Sequence, residues 1–163
     1  MKSSVQLANR FREVILDGKW IANTNLRDQL SDMTLEEALT KVGNLNTIAS
    51  LTFHINYYIS GVLNVLEGGD LEIRDKYSFD IPTMKSEEDW SELIHKLWIN
   101  AEGFAGQVEC MPEERLDEVF VDKKYGDYRR NIEGMIEHSY YHLGQITLIK
   151  KLLRNNIAAK EAY

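Results

Sequence analysis

Apolar residues recur at helical spacing along much of the chain. The clearest run is Trp90, Leu93, Ile94, Leu97, Trp98, Ala101, Phe104, Ala105 and Val108, one broad stripe with Glu88, Glu92, Lys96 and Glu102 around it. Ser86 opens this helix with Asp89 as reciprocal cap, and it is predicted to run to about Cys110, ahead of Pro112. Ile132, Met135, Ile136, Leu143, Ile146, Ile149 and Leu153 form a similar stripe in a last helix, predicted from near Asp127 to about Asn155-Asn156. A first helix is predicted from about Ser4 to Asp17, with Ser3 and Gln6 in capping-box positions and Gly18 as its stop. A second is predicted to start at Thr34, with Glu37 three residues on, and to end at Gly68-Gly69 after Leu66.

The second helix breaks the amphipathic rule. From Val42 to Leu66 there are 25 residues with no Asp, Glu, Lys or Arg. Asn44, Asn46, Thr52, Asn56, Ser60 and Asn64 are spread through it, so it is not a membrane span. A helix uncharged on every face is usually buried on every face. One side can face the core, and the other needs a second partner; a homodimer with this helix in the interface is expected.

The connections bear on topology. Residues 67–85 and 111–127 are far longer than the roughly 2–8 residues that join antiparallel neighbours. Nineteen residues span roughly 60 Å when extended, enough to run back along a long helix. The expected fold is therefore all-α: one domain over residues 1–163, a four-helix bundle with a crossover connection. Tyr77-Ser78-Phe79 and Val119-Phe120-Val121 are candidates for short extended pieces, and Trp20, Trp90 and Trp98 for the core.

Composition narrows the partners. The net charge is −7, and basic pairs such as Lys123-Lys124 and Arg129-Arg130 are scattered without interleaved aromatics, so nucleic acid is not an expected partner. Cys110 is the only cysteine, which rules out an intrachain disulfide and a multi-thiolate metal site. The first residues lead straight into an amphipathic segment with no apolar core of a secretion signal, so a cytoplasmic location is expected.

The histidines are the candidate chemistry. His138 and His142 lie four residues apart, about 40° apart on one helix face with Cβ atoms about 6 Å apart, and two imidazoles so placed can reach one metal at about 2.1 Å. That spacing also arises by chance. His54, in the middle of the uncharged stretch, is the available third ligand, although a lone buried histidine is ordinarily a hydrogen-bonded core residue. On spacing alone a shared metal and separate structural roles stay balanced. His95 lies opposite the third helix's stripe and reads as a surface residue.

At His138-Ser-Tyr-Tyr-His142-Leu-Gly-Gln145-Ile, with an inward histidine in the second helix and this pattern of loops, the chain resembles the DinB-like superfamily of metalloenzymes. That superfamily includes bacillithiol S-transferase-like and mycothiol-dependent isomerase proteins. The resemblance covers essentially the whole chain. It implies a bundle of up-down-down-up type, usually dimeric, with one divalent metal held by His54, His138 and His142. One departure stands out: Ile55-Asn56-Tyr57-Tyr58 replaces the Trp-Ala-Asp-type sequence that follows this histidine in many relatives, which leaves substrate choice open.

Three neutral imidazoles leave a coordination position free, the arrangement of a catalytic site. The ion can lower the pKa of bound water or take a thiolate; zinc or nickel suits the donor set, and iron also accepts imidazole. The expected chemistry is thiol-dependent transfer or isomerisation of a small-molecule substrate, with a low-molecular-weight thiol as co-substrate. The alternatives are a metal-dependent hydrolase and a non-catalytic metal-binding homodimer. Thr47, Ser50, Tyr58 and Gly61 share the His54 face, Asn131 and Gln145 flank the other pair, and Gln145 is the best candidate to hold an imidazole N–H. No carboxylate stands out as a general base; hydrolysis would need one from a loop.

Overall fold

The computed structural model describes residues 2–161, with side chains to Asn155. Six α-helices are present among them: α1 (Ser3–Ile15), α2 (Leu26–Leu30), α3 (Leu35–Leu39), α4 (Ile48–Leu66), α5 (Glu87–Glu109) and α6 (Tyr128–Glu161). The fold is all-helical; the extended structure among the described residues is a single bridge between Val119 and Asp127. The long helices share one hydrophobic core, with α1 and α4 each packed against both α5 and α6. Phe11 of α1 meets Phe104 of α5 at 4.3 Å between ring centres, both fully buried. No described helix is long and apolar enough to cross a membrane.

The third predicted helix forms as α5, with the Ser86–Asp89 capping box made in both directions. The predicted first helix is capped differently. Ser3 lies inside α1, and the Glu113 carboxylate accepts from the Ser3 and Ser4 N–H groups at 3.0 and 2.9 Å. A carboxylate from a distant turn thus satisfies two orphan donors of the first turn, and the Gln6 N–H that a Ser3–Gln6 box would have served goes to the Lys2 carbonyl instead. Those two backbone donors hold the Glu113 carboxyl at about 2, well below its usual range.

The predicted second helix is two. The Thr34–Glu37 box forms, but it caps the short α3, which ends where Thr40 turns extended. Gly43 follows with φ +54°, a conformation that favours glycine, and Thr47 then caps α4 by accepting from the Ser50 N–H at 3.1 Å. The missed signals were Gly43-Asn44 as a turn and Thr47 as a helix start. The short α2, also unpredicted, buries Leu26 and Leu30.

Within α4 only Asn64 is exposed, and six of the helix's polar side chains find partners inside the chain. Thr52 Oγ1 donates to the Ile48 carbonyl, Ser60 Oγ to that of Tyr57, and Asn56 Oδ1 accepts from Asn100 of α5. The rest go to the segment after the helix. Asn64 donates to the Asp70 carbonyl, Tyr57 bonds the backbone of Arg74, and Tyr58 donates to Asp75. The second partner that an uncharged helix demands is therefore the chain's own 67–85 segment.

Two smaller expectations are also revised. Tyr77 closes a 3-10 turn, Asp75–Tyr77, and Ser78 follows in a helical conformation, so that tripeptide is not extended. Trp90 is buried, its indole N–H donating to the Met33 carbonyl, and Trp98 is half-buried under Arg27, but Trp20 is 86% exposed on the loop before α2.

Candidate metal centre

His54 stands mid-way along α4 and is buried; His138 and His142 stand one turn apart on the facing side of α6, half-buried and buried. The helical pitch puts the α6 pair on one face, and the α4–α6 packing brings His54 against them. The three Nε2 atoms converge. His138 Nε2 lies 3.1 Å from that of His54 and 2.9 Å from that of His142. One donor atom from each of the three lies within 4.8 Å of the others, close enough to hold one metal ion.

The outer ring nitrogens decide what the inner ones can do. His54 Nδ1–H donates to the Ser78 carbonyl at 3.2 Å, and His142 Nδ1–H donates to Gln145 Oε1 at 2.7 Å. Each donation fixes the tautomer that leaves a bare lone pair on Nε2. Two lone pairs thus face each other across a third ring, an arrangement that a cation satisfies. His138 Nδ1 is buried without a partner. Burial lowers all three pKa values, against the Gln145 hydrogen bond at His142 and with the help of neighbouring rings at His54 and at His138, the last reaching about 4. The rings are neutral at physiological pH, as ligands must be. Two nitrogens that share an ion at about 2.1 Å stand roughly 3 Å apart when their bonds are near a right angle, so the residues fit a divalent metal.

The centre lies in the wall of an open cleft of about 560 Å³. His54 and His138 reach it. Val62, Leu71, Ile73, Phe120 and Met135 supply apolar lining, and Tyr58, Asp75, Arg130 and Asn131 are polar. Tyr58 packs edge-on against both rings, 5.0 Å from His54 and 5.2 Å from His138 between ring centres.

The predicted surrounding residues divide. Gln145 touches His142, and Tyr58 and Asn131 line the cleft, the Asn131 amide being committed to the Tyr125 and Asp127 carbonyls. Thr47 and Ser50 do not line it and serve the start of α4 instead. Gly61 is needed for contact: a Cβ there would sit 2.4 Å from the Ile73 side chain. His95 is exposed on α5, and Cys110 is free and exposed.

Residues 73–79 were not anticipated. This strap places Ile73 over Gly61, Asp75 against Tyr58, the Ser78 carbonyl on His54, and Phe79 stacked on the His54 ring at 4.0 Å. The available signal was the length of the connection itself, since long structureless loops in compact domains are usually functional. Comparison with protein-family models, curated proteins and solved structures found no match to the chain.

Proposed function

We propose that the chain is a divalent-metal enzyme of the DinB-like kind, a four-helix bundle with a crossover connection, and that its chemistry is thiol-dependent transfer or isomerisation. The observation that carries this reading is the convergence of three imidazole Nε2 atoms, two with their tautomers fixed from behind, in the wall of an open cleft. A divalent ion held there supplies the Lewis acidity that ionises a thiol near neutral pH, and zinc, nickel and iron all suit imidazole. The chain's own residues do the rest. Ser78 and Gln145 orient His54 and His142, while Leu71, Ile73, Phe120 and Met135 shield the bound small molecule from bulk water. Cleft access supports catalysis over a purely structural ion, which would be closed off from ligands.

One observation favours hydrolysis as a second reading: Asp75 brings a loop carboxylate to the cleft. His54→Ala, His138→Ala and His142→Ala are each expected to abolish stoichiometric metal in protein purified without chelator or affinity tag, with helical circular dichroism retained. Retention of full metal in all three variants would sink the site. Adding a small thiol to the cobalt-substituted protein separates the chemistries. A thiolate charge-transfer band supports thiol transfer, and metal without any response to thiol supports hydrolysis.

A further inference from the structure

We infer that Asp75 makes this cleft select thiols that carry a cationic amine. The inference rests on the metal–thiol reading and adds the class of its substrate. Asp75 is one of two charged side chains lining the cleft, the other being Arg130. Their states differ. Arg130 is paired with the Glu137 carboxylate at 3.0 Å, so its charge is answered from outside the cleft. Asp75 enters no ion pair among the described residues. Tyr58 OH donates to its Oδ1, which leaves Oδ2 without a partner among those residues.

The carboxylate is also held in place. Tyr57 OH accepts from the Arg74 N–H at 2.8 Å and donates to the Arg74 carbonyl at 3.0 Å, pinning the backbone just before Asp75. The Ser78 N–H donates to the Asp75 carbonyl at 2.9 Å, closing the same turn whose Ser78 carbonyl holds His54. Tyr58 sets the spacing: its ring lies against His54 and His138, and its hydroxyl, at the far end of that ring, meets Asp75. Asp75 is itself exposed and lies at the rim of the cleft, where a ligand with its sulfur at the three histidines would present an ammonium on a short carbon chain to this carboxylate. A charge-assisted hydrogen bond formed there is stronger than one to a neutral hydroxyl.

The test uses the full-length cobalt-substituted protein and three probes of similar size: 2-aminoethanethiol, 2-mercaptoethanol and mercaptoacetate. Each is titrated at neutral pH while the thiolate charge-transfer absorption is read. The amino-thiol is expected to bind about tenfold tighter than the hydroxy-thiol, the scale of one charge-assisted hydrogen bond, with mercaptoacetate weakest. In Asp75→Asn, which keeps an acceptor for Tyr58, that preference should fall below about twofold with metal content unchanged. Tyr58→Phe, which keeps the ring, should reduce the preference partly. Equal binding of the three thiols, a preference for mercaptoacetate, or an undiminished preference in Asp75→Asn overturns the inference while leaving the metal–thiol reading intact. Metal present with no band for any thiol removes that reading, and the inference falls with it.

Discussion

Helices α4 and α5 lie against each other and are built on opposite plans. On α5, one face from Trp90 to Val108 is buried and the opposite face carries Glu92, His95, Lys96 and Glu102 in solvent. Its sequence therefore states which side meets the core. On α4 every residue but Asn64 is at least partly covered, and the sequence states only that covering is needed, not what provides it. Besides α3, α5 and α6, part of the cover is local, residues 67–85, and the strap within it also shapes the chemistry around His54. An amphipathic helix tells direction; a uniformly uncharged one tells only demand.

Four changes would break or sharpen this contrast. The largest effect is expected on α5, where Phe104 is fully buried against Phe11. Phe104→Ala should cost about 3–5 kcal/mol of stability in denaturant unfolding, the range for deleting a buried aromatic. Metal affinity in the folded fraction should stay the same. Gln145→Leu should act the other way, weakening metal binding by roughly 10–100-fold by competition titration, because His142 loses the acceptor that fixes its tautomer. Its melting temperature without metal should hardly move.

Gly61→Val addresses the strap. The new side chain must displace Ile73, and overpacking of this kind costs about 1–3 kcal/mol. Slower tryptic cleavage of residues 67–85 than in the parent would contradict that displacement. The smallest effect is expected from pH on the metal-free protein. The histidine pKa values are depressed in the folded state, so between the unfolded value of about 6.5 and the folded value the unfolded chain binds more protons. Stability should be full above about 6.5 and fall as pH drops toward 4, and the fall should be shallower in His138→Gln. A curve flat from 7 to 4 would mean that these rings titrate normally.

Much of this was legible in the residues, and the boundary is physical. The α5 stripe and its Ser86–Asp89 box, the α6 stripe, and the pairing of His138 with His142 follow from local periodicity, because side chains three and four residues apart on a helix must share a face; the addition of His54 does not. The break between α3 and α4 was also written locally, in Gly43 and Thr47, and was obscured by the continuous absence of charge. Trp20 shows the opposite failure. A large apolar residue in a loop has no periodicity to say which way it faces, and this one faces solvent.

By itself the sequence determined that long helices would form, that α6 would present His138 and His142 together, and that the stretch around His54 would be covered. Those properties depend on the spacing of residues within one helix. Tertiary structure alone decided that Glu113 would cap α1, that the Ser78 carbonyl would set the tautomer of His54, and that Asp75 would reach the cleft beside Tyr58. Each of those contacts joins groups at least 17 residues apart in the chain. No helical period relates such positions, so only the path of the folded backbone can bring them together.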